Sequence, residues 1–214
     1  MEQQQERHTL RNPGGWEGSD FAASLCDMGV AGWNEYRGAI VGGARGRVLE
    51  IGAGTGANLP YYASEIESLT CMEPDAAMLR RARKRAEEVG RQVEWVQGRV
   101  EALPFPDASF DTVVGTLVLC SVRYVPIGLG EILRVLKPGG QFRFLEHVRA
   151  EAAWGARVQD WVTPLWRRAT AGCCPNRDTE QAIRAAGFEI IERRRLRVGI
   201  GLASPTLIGV AVKP

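Results

Sequence analysis

The segment VLEIGAGTGAN, Val48 to Asn58, constrains this chain more than any other. An apolar strand runs into Gly52, Gly54 and Gly56, and glycine at such spacing lets the backbone turn tightly and approach a ligand closely. A strand carrying Glu50 near its end, a glycine-rich turn and a following helix build the crevice in which open α/β sheets bind nucleoside cofactors, at the carboxyl edge of their strands. Glu73 stands about twenty residues further on, where an acid that accepts ribose hydroxyls belongs.

The rest of the chain extends that unit. Strand-like runs over 47–51, 69–73, 92–97, 110–116 and 141–146 alternate with helical spacing, as in a parallel sheet covered on both faces. A helix is expected to start near Ala57. Asp75 caps the next one, which carries Leu79, Ala82, Ala86 and Val89 three or four apart on one face and ends at Gly90. A third, Ile127 to Leu136, is stopped by Lys137-Pro138-Gly139-Gly140. Residues 188–198 and 206–212 have no helix between them and read as an antiparallel pair. The expected fold is α/β: a Rossmann-like, seven-stranded, mostly parallel sheet with helices on both faces and a C-terminal antiparallel hairpin. It occupies residues 45–214, behind an N-terminal tail and helical lid over residues 1–44.

Composition removes several function classes. A net charge of +2 over 214 residues gives no basic surface to displace counterions from nucleic acid, so none is expected as a partner. The arginine-rich run from Arg80 to Arg85 reads as the solvated face of its helix. No run of about 18 apolar residues marks a membrane span and the first residues are polar, so a cytoplasmic protein is expected. The five cysteines, Cys26, Cys71, Cys120, Cys173 and Cys174, lack zinc-site spacing, and no metal is expected. Cys71 and Cys120 read as packed core thiols. The vicinal Cys173-Cys174 pair would hold a soft metalloid such as trivalent arsenic only with geometry that a sequence does not show. No oligomeric state is legible.

The glycine turn alone does not choose its cofactor, because Gly52, Gly54 and Ala57 also spell the dinucleotide fingerprint G-x-G-x-x-A. The order of motifs does choose. Glu50 through Gly56, then Glu73-Pro74, then LPFPDASFDTVV, then LKPGG resembles the successive motifs of class I S-adenosylmethionine-dependent methyltransferases of the type 11 group. The resemblance implies S-adenosylmethionine as cofactor. It implies that Gly52, Ala53, Gly54 and Gly56 wrap the methionine and ribose, with Asn58 at the loop's end. Glu73, beside Pro74, would accept both ribose hydroxyls, and Glu50 would hold the loop and the cofactor's amino group. An aspartate often precedes the LPF segment in that family and binds the adenine amino group. Here Arg99 stands in its place, leaving Glu101 or the backbone of Val100 to meet the adenine.

On the acceptor side, residues 116–122 and 146–148 leave adjacent strands at the carboxyl edge, with Leu117 beside the cofactor's methyl. LVLCSV, FLEHV and the tryptophan-rich tract through Trp154, Trp161 and Trp166 resemble one branch, the methyltransferase-like alkyl-thiol S-methyltransferases. That resemblance implies a small-molecule acceptor, with a thiol first and a quinol, amine or phospholipid as alternatives. Methyl transfer from a sulfonium is an in-line displacement that needs alignment and a dry site. For a thiol the nucleophile is the thiolate, and His147 is the candidate base, oriented by a nearby arginine or Asp160. The tryptophans would line an apolar pocket or pack a helix on the sheet. Two other readings are an NAD(P)-dependent oxidoreductase and a cofactor-binding scaffold without catalysis.

Overall fold

The computed structural model describes residues 33–170, 172–198 and 201–214. The tail expected ahead of residue 33 lies outside them. The seven strands are β1 (Arg47–Ile51), β2 (Ser68–Glu73), β3 (Glu94–Gln97), β4 (Phe110–Thr116), β5 (Leu136–His147), β6 (Glu189–Arg197) and β7 (Pro205–Val212). They form one sheet in the order β3-β2-β1-β4-β5-β7-β6. The first five run parallel, and β7 lies antiparallel between β5 and β6. This is the sheet and hairpin that the sequence leads one to expect.

Alternation along each strand divides the core in two. Leu49 and Val113 face one cluster with Phe142, Phe144, Ile132 and Ile183, while their neighbours Val48 and Val114 face the other with Leu59, Cys71 and Ala86. Strands buried on both faces need helices on both sides. The helices are α1 (Asn34–Val41), α2 (Ala76–Glu88), α3 (Val125–Val135), α4 (Ala153–Ala169) and α5 (Thr179–Ala185). Asp75 caps α2 by accepting from the amides of Ala77 and Met78. Trp33 and Ile40 seat α1 on Leu145 and Ile208.

Two boundaries differ from the sequence reading. After Gly56 no α-helix forms; turns lead into a 3-10 helix over Leu59–Tyr61. Pro60 has no N–H to give, and Asn58 and Tyr62 both reach back to Glu50, which holds the segment down against β1. The helix α3 stops at Val135, before the Lys-Pro-Gly-Gly stretch, because Gly139 and Gly140 pair with Lys213 and lengthen β5 at its start.

The hairpin contains a packing constraint that has a measurable consequence. Gly209 lies opposite Phe144, and a Cβ built there meets the Glu192 carbonyl oxygen at 2.4 Å and the Phe144 ring at 2.7 Å. Neither neighbour can yield cheaply, since one is backbone and the other a fully buried ring. Gly209→Ala is therefore expected to cost about 1–3 kcal/mol of stability by overpacking, read as a lower urea midpoint with unchanged slope.

Candidate active site

The glycine turn sits at the carboxyl edge of β1. Gly52, Gly54 and Gly56 all have positive φ (59, 56 and 80°). At Gly52 an added Cβ would strike Val118 at 2.5 Å, so the glycine lets the exit of β4 lie directly on the turn. At Gly54 the same atom would meet nothing within 4 Å, leaving the backbone open on the side where a ligand approaches. Glu73 ends β2 beside it. Its carboxylate accepts from the Gly54 amide at 2.9 Å and the Asp75 amide at 3.0 Å. Each oxygen keeps a lone pair, which suits a nucleoside whose vicinal hydroxyls donate. Burial pushes the Glu73 carboxyl up to about 7 against those two amides. Ala53 is buried in the turn and Pro74 is exposed beside Glu73.

Behind the turn lies a buried polar network. Glu50 accepts from Asn58 at 2.9 Å and from the Tyr62 hydroxyl at 2.8 Å, with the Cys71 thiol at 3.6 Å. Asn58 also donates to Thr116, and it accepts from Arg37 of α1, which bonds Thr116 as well. Burial raises the Glu50 carboxyl and lowers the Arg37 guanidinium. Glu50 and Asn58 thus tie β1, the turn, β4 and α1 together. Arg37 was not singled out by its sequence. It follows no motif, and only the fold brings it under the turn.

The segment expected to meet the adenine is tied down as specifically. The Glu101 carboxylate accepts from the amides of Arg123 and Tyr124 at the start of α3 and lies 3.7 Å from the Arg99 Nε. It anchors that helix. Val100 is buried against Gly128 of α3. The LPFPD segment is fastened by Arg134, which donates to the carbonyls of Leu103 and Phe105 and to Asp107.

At the next strand end the chain leaves β4 through Leu117, whose φ of 58° is costly for a branched residue. The Leu117 amide bonds the Leu145 carbonyl at 2.7 Å. Glu146, fully buried, then accepts from Val118 and Leu119 at 2.9 Å each and from Cys120 at 3.2 Å. His147 ends β5 next to that exit. Its Nδ1 lies 3.5 Å from the Cys173 Sγ, and its ring meets the edge of Trp33 at 5.2 Å between centroids. Cys120 completes the group, its donor atom and those of His147 and Cys173 all lying within 4.8 Å of one another. A hydrogen bond with Cys173 and burial push the Cys120 thiol well up. Sequence spacing gave no sign of this trio, since Cys120 follows β4, His147 ends β5 and Cys173 lies in the loop after α4, at the same sheet edge.

Asp160 does not orient His147. It is engaged bidentately by Arg149 at 2.6 and 2.7 Å and also by Asn176. The tryptophans divide as well: Trp154 and Trp161 are 71% and 85% exposed on α4 and do not pack that helix down, whereas Trp166 is half-buried. Among the described residues, no helix is long and apolar enough to cross a membrane.

Comparison with known proteins agrees with this architecture. Residues 49–144 match the model of a methyltransferase domain. Human thiol S-methyltransferase TMT1A is 35% identical over 173 residues, covering 78% of this chain and 70% of the relative. The UbiE C-methyltransferase of ubiquinone and menaquinone biosynthesis from Stenotrophomonas maltophilia is 37% identical over 149 residues, covering 66% of this chain and 59% of that protein. A Bacillus halodurans protein classed as a methyltransferase superposes with a TM-score of 0.68 at 19% identity, over 92% of this chain and all of that one. These matches select S-adenosylmethionine over a nicotinamide cofactor and leave no support for the oxidoreductase reading. The chain belongs to the class I S-adenosylmethionine-dependent methyltransferases, enzymes of the family that includes TMT1A, and it transfers a methyl group to a small molecule.

Proposed function

We propose that the acceptor is a small thiol, methylated at sulfur. The observation that carries this reading is the corner where β4 and β5 leave the sheet, in which an imidazole nitrogen already sits 3.5 Å from a sulfur. The thiol S-methyltransferase relatives support the same chemistry. The backbone of Gly52, Ala53, Gly54 and Gly56 would cradle the methionine and ribose, and Glu73, beside Pro74, would accept the ribose hydroxyls. Val100 would offer its backbone to the adenine and Leu117 would flank the methyl. Glu50 and Asn58 act from behind, holding the turn, while Glu101 steadies α3. His147 is the catalytic side chain of this reading, facing the acceptor sulfur, and α1 covers the cofactor side through Arg37.

Purified protein with labelled S-adenosylmethionine and a panel of an alkyl thiol, a quinol, an amine and phosphatidylethanolamine vesicles tests it. Methylation of the thiol, with kcat/KM about tenfold or more above the others, is expected, a gap of roughly 1.4 kcal/mol in transition-state binding. Transfer to a quinol, amine or lipid without transfer to thiols sinks the thiol assignment.

A further inference from the structure

We infer that Cys120, His147 and Cys173 form a binding site for Zn2+, with a fourth coordination position open to the acceptor sulfur. The second half rests on the thiol reading above; the first does not. Zinc bonds of about 2.3 Å to sulfur and 2.0–2.1 Å to nitrogen at tetrahedral angles place an S and an N ligand about 3.5 Å apart. That is the separation found between Cys173 and His147, and the third donor lies inside the same 4.8 Å envelope.

The donors are fixed before any ion arrives. Glu146 holds the Cys120 amide, the Cys120 carbonyl accepts from the Cys174 amide at 2.8 Å, and the Cys173 amide bonds the Thr170 carbonyl at 2.9 Å. The Cys174 thiol turns away to the Gly172 carbonyl, so the vicinal pair does not act as a pair. Two sulfurs and one imidazole suit zinc rather than a metalloid that prefers three thiolates, or a hard cation that needs oxygen ligands. Three protein ligands with one position free is the pattern of zinc sites that act on a substrate, whereas structural sites are closed by four.

The site also stands where an acceptor must. Cys120 follows the Leu117-Val118 exit, and Val118 lies on the cofactor turn at Gly52. In the step this allows, the acceptor thiol gives its proton to solvent and binds zinc as a thiolate. Its sulfur forms a bond to the methyl carbon as the cofactor's sulfur–methyl bond breaks. The products are a thioether, S-adenosylhomocysteine and the released proton, with no change of oxidation state.

Reduced, chelator-stripped protein titrated with Zn2+, and separately with Co2+ as a spectroscopic probe, tests both halves. One equivalent should bind, with a near-ultraviolet sulfur-to-cobalt charge-transfer band. Cys120→Ser and Cys173→Ser should weaken binding about a hundredfold or more while melting close to the parent, and Cys174→Ser should bind normally. An alkyl thiol should shift the cobalt spectrum, and the corresponding alcohol should not. Absence of stoichiometric binding, or binding indifferent to both serine variants, overturns the zinc site; full thiol methylation by stripped protein overturns the open position for the acceptor sulfur. If instead zinc binds as described but thiols neither shift the spectrum nor become methylated, the metal half holds and the thiol reading fails.

Discussion

Glu73→Ala should weaken S-adenosylhomocysteine binding about 30- to 150-fold, because two charge-assisted hydrogen bonds to the ribose are worth about 2–3 kcal/mol together. The same carboxylate predicts a pH dependence. Burial raises its pKa from 4.5 to about 7, and hydroxyl donors favour the ionised form, so proton and ligand compete. Affinity should fall about tenfold from pH 8 to pH 6, following the ionised fraction of a group with a pKa near 7. The ligand-free fold responds with the opposite sign. A raised carboxyl pKa contributes stability that is fully present below 4.5 and is lost as the pH rises through about 7, so the ligand stabilises the protein most at the alkaline end. Calorimetric titration at pH 6, 7 and 8 checks the argument. Glu73→Gln isolates it, since the amide cannot titrate and its profile should be flat. An alanine variant within twofold of the parent, or a glutamine variant with the parent's slope, would remove Glu73 from the ribose.

The strands and the C-terminal hairpin were legible in the sequence because their burial is periodic and local. Val48, Val113 and Phe144 announce two covered faces without help from distant residues. The glycine turn and Glu73 were legible too, since a backbone shape and a strand-end acid are set within a few residues. What escaped is what depends on partners far along the chain. Glu50, Asn58 and Glu101 have the polarity of ligand-binding groups, yet Tyr62, Arg37 and the amides at the start of α3 claim them. Nothing local distinguishes a carboxylate that meets a ligand from one that meets a buried tyrosine. Asp160 shows the same limit, since its partner Arg149 sits on the connection after β5. The Cys120, His147 and Cys173 group is the extreme case. Three residues without motif spacing converge because the connection after β4, the end of β5 and the loop after α4 meet at one edge of the sheet. The signal available in advance was topological: residues just past parallel strands share that edge even when far apart in sequence.

That convergence makes Glu146 the residue whose loss should damage the fold most. Its carboxylate holds three successive amides, Val118 to Cys120, in a fully buried position, and burial pushes its pKa up to about 7 against their pull. Glu146→Ala would strand those donors, each costing about 1–3 kcal/mol if left unpaired. Water entering the vacated volume would satisfy some of them, so a total loss of about 3–5 kcal/mol is expected, near the limit for single substitutions. Glu146→Gln keeps one acceptor oxygen but turns an amide donor toward other donors, and should cost about 1–2 kcal/mol. Urea midpoints at constant slope measure both. A loss below about 1 kcal/mol for alanine, or equal losses for the two variants, would mean that backbone packing alone fixes the β4 exit. The graded result would place the geometry of Leu117 and Cys120, and with it the acceptor side of the site, under the control of one buried carboxylate on the neighbouring strand.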